Sequence, residues 1–99
     1  ILSTIYINVK KNISQKKLLT ELSNYYKNNR FIKIKKINKT LSTNDVINTN
    51  NCLISICKTK YKNKYIILST IDNLIKGGAG QAIQNLNIKY NFSESRGLI

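Results

Sequence analysis

The spacing of apolar residues changes from a period of two to a helical period along this chain, and this change limits the possible folds more than any other feature. The first ten residues place Ile5, Ile7 and Val9 on one side of an extended chain, which predicts a β-strand. Three further runs are rich in β-branched and aromatic residues and also predict strands: 31–37, 52–59 and 65–71. The last two are joined by a short link around residues 61–64, which predicts an antiparallel hairpin.

Two segments instead follow a helical period. Ser14 is suited to cap the start of the first helix, and Asn28 or Asn29 is suited to end it in the left-handed conformation. The apolar stripe of this helix consists of Leu18, Leu19, Leu22, Tyr25 and Tyr26. The stripe of the second helix consists of Ile75, Ala79, Ala82, Ile83, Leu86 and Tyr90. The polar stretch between residues 38 and 51 predicts a loop.

The resulting order, β-α-β-β-β-α, predicts an α+β fold with a mixed β-sheet and with the helices packed on one face. The helix between the first two strands permits a parallel, right-handed crossover. A chain of 99 residues is sufficient for one hydrophobic core, and no stretch resembles an interdomain linker.

The formal net charge of +13 suggests a nucleic-acid surface. However, the basic residues are fifteen Lys and two Arg, and Arg is the side chain that favours bidentate contacts to phosphates and bases. Lys, Asn and Ile together account for 47 of the 99 residues, which indicates a biased codon composition that leaves Lys on solvated faces. A small basic RNA-binding module stays an alternative, with bases stacked on Tyr25, Tyr26, Tyr61 and Tyr65.

Cys52 and Cys57 are the only cysteines, and the chain contains no histidine. Their odd separation within a strand directs them to opposite faces, so they cannot bond to each other there. Neither metal-ligand spacing nor a Cys–His pair is present, and we expect two small buried residues in a reducing compartment. The apolar runs are too short to span a bilayer and no signal peptide is recognisable, which favours a soluble protein.

Three of the four glycines lie in the run DNLIKGGAGQAIQNLN at residues 72–87: Gly77, Gly78 and Gly80. In a helix interior each would cost about 1 kcal/mol relative to alanine. Either a helix start without side chains admits a ligand to its free N–H groups, or the small residues allow close packing, and spacing alone leaves both open. Asp72 is placed to cap the turn, and Lys76 to reach a phosphate or water. The run matches neither a P-loop nor the G-x-G-x-x-G of a dinucleotide fold.

The same run resembles the C-terminal signature of the N-acetyl-gamma-glutamyl-phosphate reductase family, which is close to D-N-L-x-K-G-A-x-G-Q-A-x-Q-N-x-N. Only Gly78 departs from it, at a position where the family has alanine. Other segments resemble the family in the same order: ILSTIY the strand after P-M-x-R-G, NTNNC a polar turn, and FSESRGL the terminal F-x-E-x-x-G-L. Since the chain has no methionine and starts inside a predicted strand, it resembles the last third of such an enzyme.

The resemblance implies a two-domain dehydrogenase. A Rossmann domain would precede this chain, and residues 1–99 would form the C-terminal part of a substrate and oligomerisation domain of the glyceraldehyde-3-phosphate-dehydrogenase type. The helix at residues 72–90 would return to the Rossmann domain, where Gln81 and Gln84 would hold it. The implied cofactor-binding residues, at the nicotinamide end of NADP, are Asn73 through its side-chain amide and Lys76, Gly77 and Gly78 through the nearby backbone.

The implied activity is the NADP-dependent reduction of N-acetyl-glutamyl phosphate to its semialdehyde in arginine biosynthesis, by a cytoplasmic homo-oligomer with no nucleic-acid or membrane partner. In this family a cysteine thiolate attacks the acyl phosphate, hydride from NADPH reduces the thioester and a histidine assists proton transfer. Both side chains belong to a segment before this chain, and Cys52 and Cys57 match neither. We therefore predict no catalytic residue and no activity for these 99 residues alone.

Two related enzymes share this chemistry and stay alternatives: aspartate-semialdehyde dehydrogenase and the lysine-pathway homologue of the reductase. Without a Rossmann domain, the apolar stripe of the last helix would be exposed, and the first strand could meet another subunit. Exposed apolar patches drive association, so we expect self-association or marginal stability.

Overall fold

The computed structural model describes all residues from 1 to 99 and contains a single four-stranded sheet. Its strands are β1 (Leu2–Asn8), β2 (Ile32–Ile34), β3 (Cys52–Lys58) and β4 (Lys64–Ile71). Its helices are α1 (Gln15–Tyr26) and α2 (Gly80–Lys89), with a 3-10 turn at Thr43–Asp45 and a π-helical turn at Ile75–Ala79. The predicted element order and the α+β class with a mixed sheet are confirmed. Neither helix is long and apolar enough to cross a membrane.

The strands lie in the order β1-β4-β3-β2. β4 is antiparallel to both β1 and β3, and β2 is parallel to β3. The predicted β3–β4 hairpin is therefore confirmed. β1 and β2 run in the same direction, as a crossover through α1 permits, but two other strands separate them in the sheet.

β1 forms an edge of the sheet and is exposed along most of its length. A row of isoleucines crosses three strands, because Ile5 pairs with Ile67 and Ile67 pairs with Ile56. The exposed fraction rises along this row from 0% at Ile56 to 45% at Ile5, with Ile67 half-buried. The apolar side that the sequence predicts for the first strand is therefore left open by this chain.

The long loop between β2 and β3 supplies much of the hydrophobic core. Leu41 and Val46 from the loop form a buried cluster with Leu53 of β3. Ser55, on the same side of β3 as Leu53, donates its hydroxyl to the carbonyl oxygen of Lys39. The stretch is irregular apart from its 3-10 turn, as predicted, but its polar composition gave no sign of this packing role.

α1 begins as the sequence predicts and ends differently. The Ser14 hydroxyl accepts a hydrogen bond from the backbone N–H of Lys17 at 3.0 Å, which confirms the cap. The helix ends at Tyr26 with Lys27 still right-handed, so a left-handed cap at Asn28 or Asn29 is wrong. Tyr25 is also largely exposed and does not belong to the half-buried stripe.

β2 and the last helix are shorter than predicted. β2 covers Ile32–Ile34 only, and Phe31 before it is buried. The predicted last helix is broken at Gly78, whose φ of −139° and ψ of −114° are not helical. The residues that α2 buries are Gly80, Gln84 and Asn87. The apolar residues Ala79, Ala82, Ile83 and Leu86 are exposed.

Candidate functional site

Asp72 fixes the turn that follows β4. Its carboxylate accepts hydrogen bonds from the backbone N–H groups of Asn48 at 2.8 Å and Leu74 at 2.9 Å, while its carbonyl oxygen accepts from Ile75 and Gly77. The N–H groups of Asn48 and Leu74 hold the pKa of Asp72 below its ordinary value, because they stabilise the ionised carboxylate. The predicted cap is confirmed, and it also attaches the turn to the loop before β3.

The glycines of the turn serve two different close approaches. A Cβ on Gly77 would overlap the side-chain amide oxygen of Asn73. A Cβ on Gly80 would overlap the amide oxygen of Asn50 and lie 2.7 Å from the Ile75 carbonyl oxygen. A Cβ on Gly78 would meet only the Asn73 carbonyl oxygen, at an ordinary 3.4 Å. Gly80 therefore allows internal packing, Gly77 makes room for Asn73, and Gly78 has space for the alanine of the family signature.

Asn73 presents an unused amide on this turn. The residue is exposed, and the side-chain hydrogen bonds of the turn involve Asp72 and Lys76 rather than Asn73. A carboxamide offers two N–H donors and one carbonyl acceptor, so it can pair with another carboxamide in both directions. The residue present at this position therefore fits the nicotinamide group that the family resemblance implies.

Lys76 has a different environment from the one expected for a phosphate ligand. Its ammonium donates to the Gln84 side-chain oxygen at 2.7 Å and lies 5.7 Å from the centre of the Phe31 ring. Burial lowers the pKa of Lys76, against opposing effects of the Cys52 sulfur and the Glu94 carboxylate. The ammonium is thus engaged inside the chain. The role predicted for Lys76 in the cofactor site concerns its backbone and does not need this ammonium.

Gln84 lies at the centre of a buried polar network. Its side-chain oxygen also accepts from Asn50 at 2.9 Å, and its side-chain nitrogen donates to the Glu94 carboxylate at 2.8 Å. The Gln84 amide is thus used inside this chain, and its predicted role in holding the helix against another domain stays a prediction. Gln81 bonds to Asn85 on the surface of α2, so its outward role stays a prediction.

Asn87 anchors the C-terminal segment and was not singled out from the sequence. Its side-chain nitrogen donates to the carbonyl oxygens of Glu94 and Arg96, both at 3.0 Å. The signal that could have found it is its spacing, because Gly80, Gln84 and Asn87 follow one another at i, i+4 and i+7 on one helix face. Small and amide residues at that spacing indicate a polar, closely packed interface.

The two cysteines are free and half-buried rather than fully buried. The Cys52 sulfur lies 3.5 Å from the Ser69 hydroxyl, whereas the Cys57 sulfur lies 3.8 Å from the Lys39 carbonyl oxygen. No group of three or more His, Cys, Asp or Glu side chains is arranged to hold a metal ion. On the turn itself, the side chains of Asp72 and Lys76 are engaged within the chain, so the exposed amide of Asn73 is the group best placed to meet a ligand.

Comparison with known families identifies the sheet portion of the chain. The family model described as semialdehyde dehydrogenase, dimerisation domain, matches residues 1–73, from β1 to the start of the turn. The chain belongs to this family. The match to the semialdehyde dehydrogenase dimerisation domain ends at Asn73, so the glycines and α2 lie beyond the family model.

The similarity to curated proteins covers almost the whole chain, including α2. The N-acetyl-gamma-glutamyl-phosphate reductase of Clostridium kluyveri is 45% identical over 98 residues, which cover 99% of this chain and 28% of the relative. The reductases of Karelsulcia muelleri and Listeria monocytogenes are 46% and 45% identical, over 99% of this chain and 28% and 29% of their own lengths. The chain thus spans less than a third of these relatives. The family resemblance predicted from the C-terminal signature is confirmed.

Proposed function

We propose that this chain is the C-terminal part of the substrate and oligomerisation domain of an NADP-dependent oxidoreductase. The reaction would convert N-acetyl-glutamyl phosphate to its semialdehyde in cytoplasmic arginine biosynthesis. The similarity to reductases of that name over almost the whole chain supports this assignment. The related acyl phosphates of the aspartate and lysine pathways are the alternative substrates.

The observation that carries the proposal is the exposed, unused amide of Asn73 on a glycine-lined turn. NADPH, when bound, would supply the hydride that reduces the substrate. Asn73 would hold the nicotinamide carboxamide by paired hydrogen bonds, and Gly77 would leave the room that its side chain needs. The backbone of Lys76 and Gly78 would set the path of the turn.

The exposed apolar side of α2 supports the presence of a second domain against this turn. Ala79, Ala82, Ile83 and Leu86 are contiguous on the helix and exposed. A nucleotide-binding domain that covers them would also exclude water from the nicotinamide end of the cofactor. The nucleophilic cysteine and the histidine would come from the rest of the full protein, so the residues of this chain bind and orient rather than react.

The open side of the sheet supports a homo-oligomer. Ile5, Ile7 and Ile67 lie on one face, and none of them is fully buried within the chain. We name these three residues the open sheet face. Since the family description specifies a dimerisation domain, a second copy is the partner that we propose for it.

The cofactor role is tested by the variant Asn73→Ala in the full-length gene product. We expect NADPH affinity, measured by fluorescence titration, to fall about tenfold because a paired carboxamide contact is lost. The variant Asn24→Ala, an exposed amide on α1, is the matched control and should leave the affinity unchanged. Equal affinity of Asn73→Ala and the unmodified protein would contradict the role of Asn73. Comparison of N-acetyl-glutamyl phosphate with aspartyl phosphate as substrates tests the reaction itself.

A further inference from the structure

The Gln84 side chain joins three segments that are distant in sequence. It contacts Asn50 in the loop before β3, Lys76 in the turn and Glu94 in the C-terminal segment, with donor–acceptor distances from 2.7 to 2.9 Å. Gln84 itself is only 8% exposed. A single side-chain amide therefore links the Asn50 amide nitrogen, the Lys76 ammonium and the Glu94 carboxylate.

The polarity of the amide matches its surroundings. The carbonyl oxygen faces two donors, the Asn50 amide and the Lys76 ammonium, while the nitrogen faces the Glu94 carboxylate. Gln84 is thus an uncharged dipole between an ammonium and a carboxylate, and hydrogen bonds to charged groups are the stronger kind. A hydrophobic side chain of the same size would leave a buried donor without an acceptor, which is costly.

Asn50 makes the network less tolerant of change. Its side-chain oxygen is buried, has no hydrogen-bond partner and faces the Cα of Gly80. The amide nitrogen of Asn50 is bonded to Gln84, so the orientation of this buried side chain depends on that bond. The start of α2 is held against the loop at the same place where Gly80 allows close approach.

The connection to the proposed cofactor site passes through Lys76. This residue lies three positions after Asn73 in a turn where the Asn73 side chain also rests against Gly77. We propose that Gln84 is a positioning residue that holds the turn, through Lys76, in the conformation that presents the Asn73 amide. The inference rests on the proposed function, because it concerns how the same turn receives the nicotinamide group.

A charge swap in the full-length gene product tests the inference. In Gln84→Glu two carboxylates would face each other at positions 84 and 94, and we expect NADPH affinity to fall about fivefold as the anchor of Lys76 shifts. The double variant Gln84→Glu with Glu94→Gln exchanges donor and acceptor and keeps the net charge. We expect it to restore the affinity to within about twofold of the unmodified protein. Asn24→Asp, which adds the same charge at an exposed amide on α1, is the control and should bind NADPH normally.

Thermal unfolding of the same proteins separates positioning from general stability. A lower melting temperature of Gln84→Glu with unchanged NADPH affinity would overturn the inference, and so would a double variant that binds as poorly as Gln84→Glu. Recovery of NADPH affinity in the double variant supports the inference. Failure of the unmodified protein to bind NADPH would instead reject the proposed function, and this result is distinct from all the others.

Discussion

At the scale of single residues, the turn after β4 explains why neighbouring glycines are not equivalent. Gly77 leaves space that the Asn73 side chain occupies, whereas the position of a Cβ on Gly78 is open except for one ordinary contact. The departure from the family signature at Gly78 therefore has little steric meaning. The sequence could not separate these cases, since the neighbours of each Cβ position depend on how the turn folds back.

This difference predicts opposite results for two alanine substitutions. Gly77→Ala should displace the Asn73 amide and weaken NADPH binding about fivefold, with little loss of stability because that side chain can move. Gly78→Ala should change neither the affinity nor the melting temperature appreciably. Fluorescence titration and thermal unfolding of the full-length gene product measure both effects. A larger loss of affinity in Gly78→Ala than in Gly77→Ala would contradict this account of the turn.

At the scale of elements, the irregular loop between β2 and β3 behaves as part of the core. Val46 is 0% exposed and packs with Leu53, while its neighbour Ile47 is 59% exposed. Val46→Ala should lower the opening free energy of the β3 amides by about 2 kcal/mol, since it removes buried methyl groups and leaves a cavity. Ile47→Ala, a larger truncation, should change it by less than about 0.5 kcal/mol because that side chain is solvated. Native-state hydrogen exchange measures both, and equal effects would show that the loop does not support the sheet.

The same loop illustrates how far sequence patterns reach. Alternation and a short link were sufficient to predict β1 and the β3–β4 hairpin, because both signals are local. The core role of Val46 was not predictable, since it depends on contact with a strand that the composition of the loop does not reveal. The polar inward face of α2 was missed for a related reason: Gln84 and Asn87 are buried by partners outside their own helix.

In the candidate site, the family signature predicted that the Asn73 amide contacts the cofactor. The structure adds that this side chain is exposed and makes no hydrogen bond within the chain. The cap at Asp72 followed from residue type, because a carboxylate at the start of a turn accepts backbone N–H groups. The engagement of Lys76 with Gln84 did not follow, since a lysine beside glycines is equally compatible with a phosphate. Local chemistry therefore predicted the start of the turn but not its internal anchor.

At the scale of the whole molecule, the open sheet face predicts the oligomeric state. Ile5→Asp in the full-length gene product would place a charge against the proposed second copy, so the oligomer should dissociate in sedimentation experiments. Tyr6→Asp is the matched control, because Tyr6 is exposed on the opposite side of the same strand. It should leave the oligomer intact. The interface would be rejected if the unmodified protein stayed monomeric at all concentrations, or if the Ile5→Asp variant still formed the oligomer.

The position of β1 at the sheet edge also has a consequence for the time course of folding. β3 and β4 are joined by a short link and can pair early, whereas Leu2 pairs with Thr70 and has to wait for a strand near the other end of the chain. During synthesis β1 emerges before β4, its only partner strand, so its seven residues, several of them apolar, are unpaired until β4 follows. An unpaired strand of this kind is a template for association with other chains. The interval before β4 leaves the ribosome is therefore when we expect this protein to be most prone to aggregation.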